Sequence, residues 1–273
     1  MILLGLSASQ SVKDGLFVIF LTLYLLTLLE NTLIIYLICS HSELCKPMYF
    51  FLGNLSCLEM CYVSVTTPSL LVGLQSLRVS FTACIIQLFL FISLIGTKCT
   101  LLASMAYDRY VAICSPLHYH AHAAPGLGLS FVGGLLVSAI KTCISSNVVE
   151  FNILNHFFCD VSPLLNLSCT PVSLTELVDF LSAIVIFVVL LVALASYVAI
   201  GRAVLRMHST ATRCKAFSTC TSHLVVMGIF YSVVLFIYPP QPIESTDLNK
   251  VLSVIYTVLT PMCSPIIYCL RNK

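Results

Sequence analysis

Seven long apolar runs, each followed by a short polar stretch, dictate the kind of fold open to this chain. They lie at about 16–39, 48–72, 82–113, 126–147, 177–205, 214–238 and 248–270, and each has the roughly 20 residues an α-helix needs to cross a bilayer. Runs and loops together use most of the 273 residues, so no large further domain fits. The chain is 59% hydrophobic and 9% charged, with a mean hydropathy of +1.03. A soluble domain carries about 25% charged residues. That argues against a soluble enzyme, and the apolar content excludes a disordered chain. The expectation is an all-α membrane protein, a seven-transmembrane helix bundle occupying 1–273 as one unit, with the lipid bilayer as its first partner.

The few charges set the orientation. With the N-terminus outside, Lys46, Arg109, Arg202, Arg206, Arg213, Lys215, Arg271 and Lys273 fall on the cytoplasmic side. Lys13, Arg78 and Lys250 fall outside, and Lys98 and Lys141 within spans. This excess of inner Lys and Arg predicts an outer N-terminus and a cytoplasmic C-terminus. The start, Met1-Ile-Leu-Leu, lacks a basic leader region, so the first span is expected to act as its own signal. A net charge of +2 gives no footing for nucleic acid. Of the 14 cysteines, many sit inside apolar runs as small hydrophobes. Cys159 and Cys169 instead lie in the longest outer connection, about 148–176, with Cys84 opening the third span at the same face. A Cys84–Cys159 disulfide would tie that loop to the bundle. Asn166-Leu-Ser168 is a glycosylation sequon on the outer side. His118-x-His120-x-His122 and His156-x-x-Cys159-Asp160 have metal-ligand residue types. They are set aside, the first as a loop and the second because a disulfide would take Cys159. No metal, cofactor or catalytic set is expected.

Five stretches resemble a known family. Met105-Ala-Tyr-Asp-Arg-Tyr-Val-Ala-Ile-Cys114 with Pro116-Leu-His-Tyr119 is similar to the inner end of the third helix of vertebrate olfactory receptors, which are rhodopsin-like G-protein-coupled receptors. Pro47-Met-Tyr-Phe-Phe-Leu52, His156-Phe-Phe-Cys-Asp160, Lys215-Ala-Phe-Ser-Thr-Cys-x-Ser-His-Leu224 and Pro261-Met…Pro265-Ile-Ile-Tyr268 agree in order and spacing. The resemblance covers nearly the whole chain. It implies an odorant receptor in the plasma membrane that activates a stimulatory olfactory-type heterotrimeric G-protein. In such a receptor Asp108, Arg109 and Tyr110 form the inner switch. Tyr197 and Tyr268 turn inward with it, and Arg213 and Lys215 face the G-protein. From the residues alone, Asp108-Arg109 reads equally as a solvated interfacial pair, and Arg213 and Lys215 as ordinary inner anchors. By the family's spacing the odorant cavity is lined by Phe91, Ile92, Ile95 and Gly96 on the third helix and Leu181, Ser182 and Val185 on the fifth. Tyr231, Val234, Leu235 and Tyr238 on the sixth and Val254 and Thr257 on the seventh complete it. The set is apolar with a few hydroxyls and no charge, which suits a small neutral ligand better than an amine; for any one member, interhelical packing is the competing reading.

The chain also departs from the family. Glu30 stands for a glycine, Phe131 for a tryptophan, Val149 for a cysteine that would partner Cys169, and Ser264 for the asparagine before Pro265. Both ends are shorter than the resemblance implies. Glu59 replaces an aspartate and Lys98 a frequent glutamate. A lone charge at mid-membrane costs about 2.5–3.5 kcal/mol on insertion scales, so Glu59 and Lys98 are expected to pair with each other. Lys98 meeting water is the alternative. Two functional readings follow: a signalling odorant receptor, and a degenerate member that does not signal or is retained. A small transporter is the reading of another class, and no internal repeat supports it.

Overall fold

The computed structural model describes residues 2–3, 10–41, 47–75, 81–114, 132–133, 135–136, 139, 153–154, 172–206, 210–237, 260–262 and 267. Nearly all of these belong to long helices: α1 (Gln10–Ser40), α2 (Pro47–Gln75), α3 (Phe81–Cys114), α4 (Val172–Leu205) and α5 (Thr210–Ile237). They stand where the sequence suggests the first, second, third, fifth and sixth spans. The fourth and seventh expected spans lie mostly outside the described residues, and their described positions, such as 132–133 and 260–262, are helical. α1 packs along α2, α2 along α3, α3 against α4, and α4 against α5, with α3 also touching α5.

Among the described residues four helices are long and apolar enough to cross a membrane: Gln10–Ser40, Met48–Gln75, Thr82–Cys114 and Phe180–Leu205. On α1 and α4 the faces are reversed relative to a water-soluble bundle. On α1 the buried positions are Thr27, Asn31 and Ile34, while Leu29, Leu33 and Tyr36 are exposed. On α4 Ser182, Ala193, Ser196 and Tyr197 are buried, while Phe180, Phe187, Val188 and Val198 are exposed. Such helices turn polar and small residues to the bundle and leucine-like ones to lipid, where leucine costs nothing. The hydroxyls stay satisfied by donating to their own helix one turn back. Thr27 donates to the Leu23 carbonyl at 2.8 Å, Thr97 to Ser93 at 2.8 Å and Ser196 to Val192 at 2.9 Å.

Because lipid tails are as apolar as leucine, packing rather than water exclusion holds such helices together. One apolar cluster joins α2 and α3 through Tyr62, Leu70, Cys84, Leu88 and Phe91, with Phe20 and Tyr24 of α1 packed against it. A second joins α2 and α3 to α4 and α5 through Phe51, Leu102, Met105, Ile200, Met227 and Phe230. Ala106 on α3 and Ala193 on α4 are both fully buried there, and their short side chains let the two backbones approach.

A small departure from the all-α expectation lies at the N-terminus. β1 (Ile2–Leu3) pairs in parallel with β2 (Ile153–Leu154), Ile2 opposite Ile153 and Leu3 opposite Leu154. Two residues per strand cannot make a sheet, but the pairing sets Ile2–Leu3 beside Ile153–Leu154.

Candidate functional site

Two buried polar centres stand out, one midway along the bundle and one toward the Cys114 end of α3. The first is an ion pair. Lys98 Nζ on α3 lies 2.6 Å from Glu59 Oε1 on α2, and the side chains are 3% and 0% exposed. Among the described residues neither Glu59 oxygen has a hydrogen-bond partner beyond this pair. A buried charge in lipid must be neutralised by a partner, and each of these residues is the other's partner. The pair joins α2 to α3 and is costly to break from one side, at roughly 3–5 kcal/mol.

The second centre gathers residues from α3, α4 and α5. Arg109 is 7% exposed although its charge would be best solvated in water. Asp108 and Tyr110 beside it are half-buried, and the Tyr110 ring lies 6.1 Å from that of Tyr107. The Tyr197 hydroxyl on α4 and His223 Nδ1 on α5 share a hydrogen bond, and both side chains are buried. The buried Arg109 of α3 lies beside this hydrogen bond between α4 and α5. Arg213, near the start of α5, is exposed.

Between these centres and the Cys84 end of α3 lie the residues expected to line a cavity. Phe91 and Ile92 are buried in the α2–α3 cluster, with the Phe91 ring 5.7 Å from that of Tyr62. Ile95 and Gly96 are half-buried, and Ser182 and Val234 are buried. Tyr231 is buried and its hydroxyl donates to the Cys99 carbonyl at 3.2 Å, so it bridges α5 and α3. Leu181 and Val185, also expected at the cavity wall, are 51% and 50% exposed on α4, and Phe180, Ile184 and Val188 beside them are exposed too.

Cys84 is fully buried and disulfide-bonded. Cys159, Asn166, Tyr238, Val254, Thr257 and Tyr268 lie outside the described residues, as do the side chains of Lys215 and Leu235.

Residues 20–273 match the olfactory receptor family. The whole chain aligns at 70% identity with Olfactory receptor 6Z7 of Mus musculus, covering 91% of that protein. It aligns at 51% with Olfactory receptor 6B2 of Homo sapiens, again over 91%, and at 50% with human Olfactory receptor 6A2, over 88%. The chain belongs to the olfactory receptor family. It is a multi-pass membrane protein with the seven-helix receptor fold, and its relatives are receptors rather than enzymes.

Sequence reasoning did not anticipate His223 as the partner of Tyr197 in this olfactory receptor. The available signal was its place in the stretch Lys215 to Leu224, which put a histidine in the middle of an apolar span. A buried histidine needs a hydrogen-bond partner, and the nearest inward-facing hydroxyl aromatic is Tyr197. Tyr231 was expected at a cavity wall, and the structure gives its hydroxyl a backbone partner. Glu30 sits half-buried within α1, its Oε2 atom enclosed and without a hydrogen-bond partner among the described residues.

Proposed function

We propose that this receptor binds small, neutral, mostly apolar odorants from the outer side and activates a stimulatory olfactory-type G-protein at the inner side. The observation that carries the reading is the Arg109–Tyr197–His223 centre. It joins α4 to α5 by a hydrogen bond beside the buried Arg109 of α3, in a chain that is 70% identical to an olfactory receptor over its full length. A ligand that prefers one arrangement of those helices shifts the population toward it. The freed Arg109 side chain then faces the G-protein together with Arg213 and Lys215. In the plasma membrane the N-terminus lies outside and the C-terminus inside. The distribution of Lys and Arg supports this, and the β1–β2 pairing supports an N-terminus on the same face as the 148–176 connection. Cys84 pairs with Cys159, and Asn166 is glycosylated.

A surface-labelling and cAMP assay across an odorant panel tests the reading. Surface receptor with an odorant-dependent rise, abolished by Arg109→Ala, is the expected result. Glu30 favours the second reading, a non-signalling or retained member, because its enclosed carboxyl oxygen, within a membrane span, has no partner among the described residues. Absence from the surface in the presence of trafficking chaperones would decide for it.

A further inference from the structure

The mid-membrane ion pair reaches a third helix. Lys98 Nζ lies 5.0 Å from the centre of the Phe230 ring on α5 and 6.0 Å from that of Tyr62 on α2. An ammonium within about 6 Å of a ring centroid is attracted by the ring's electron-rich face, and more strongly where water is excluded. Here the ammonium is 3% exposed, its carboxylate 0% and Phe230 5%. One residue further along each helix, the Tyr231 hydroxyl donates to the Cys99 carbonyl at 3.2 Å. α5 is therefore fastened to α3 at two successive positions, 98–99 against 230–231. The first fastening depends on the cation at position 98, and among the described residues that cation is held in place by Glu59. A neutral side chain at 98 would leave Phe230 with ordinary packing.

We propose that the Lys98 ammonium, anchored by Glu59, is a latch that holds Phe230 and α5 against the α2–α3 pair and sets how often the receptor is active without ligand. The proposal rests on the reading that α5 moves when the G-protein engages. A double-mutant cycle tests it with four full-length receptors: the parent, Phe230→Leu, the neutralised pair Glu59→Gln/Lys98→Met, and the triple variant. The double substitution removes both charges together, so neither is stranded in the core. Ligand-independent cAMP is read per receptor at the surface. Phe230→Leu is expected to raise it about 2- to 10-fold in the parent and to have little effect once the pair is neutral. An equal effect in both backgrounds, or none in the parent, overturns the latch, because Phe230 then acts as bulk apolar packing.

The same four proteins are melted in detergent. Phe230→Leu should lower the midpoint more in the parent than in the neutralised background, and additive shifts overturn the latch. If no receptor in the set raises cAMP, even with odorant, the signalling reading fails, and the melting cycle decides the latch by itself.

Discussion

The two buried polar centres of this bundle are built in opposite ways. At mid-membrane a cation and an anion meet at 2.6 Å, both almost wholly enclosed, and cancel. Toward the Cys114 end the buried Arg109 lies beside a tyrosine–histidine hydrogen bond. The first is electrically closed. It holds α2 to α3, and its value is measured by the cost of opening it. The second lies toward the end of the helices and joins α4 to α5. On the proposed function, loss of the first centre is expected to tell mainly on the fold and loss of the second on the odorant response, although they lie on the same helix, α3, at positions 98 and 109.

That division can be broken experimentally, and the largest effect is expected at the closed centre. Lys98→Met leaves Glu59 buried without its cation and should destabilise the receptor by roughly 3–5 kcal/mol, seen as near-complete loss of surface labelling. Exchanging the two residues, Glu59→Lys with Lys98→Glu, should restore much of that labelling. If the exchanged receptor is no better than either single variant, the pair does not act as a pair. Arg109→Ala should leave surface labelling near the parent level and remove odorant-dependent cAMP. Tyr197→Phe deletes one buried hydrogen bond. It should cost about 1 kcal/mol, read as a modest drop in the melting midpoint and a shifted odorant dose–response curve. Leu181→Ala and Val185→Ala come last. Both side chains are half exposed on α4, so stability should change by no more than about 0.5 kcal/mol, with the odorant response intact. A strong loss of response there would put these residues at the cavity wall.

Much of the architecture is legible from the chain, for physical reasons that also mark the limits. Span positions follow from bilayer thickness alone, which is why α1, α2, α3, α4 and α5 stand close to the apolar runs. Glu59 and Lys98 can be matched from sequence because mid-membrane charges are so expensive that two of opposite sign have few alternatives to each other. The Tyr197–His223 bond is different. Its members are 26 residues apart on separate helices, and no local pattern says which inward tyrosine meets which inward histidine. Spacing carried over from relatives puts Leu181 and Val185 at the cavity wall, and on α4 both are half exposed. The β1–β2 contact spans most of the chain's length with two residues per strand, so it has no periodicity to read.

The division between the centres is tested most directly by measuring two quantities on the same cells: receptor at the surface, and odorant-stimulated cAMP per surface receptor. Lys98→Met and Arg109→Ala are compared with the parent. Lys98→Met should lose the first quantity, and Arg109→Ala should keep the first and lose the second. If both variants lose surface receptor alike, or if Arg109→Ala signals as the parent does, the separation of a fold-holding centre from a signalling one is wrong.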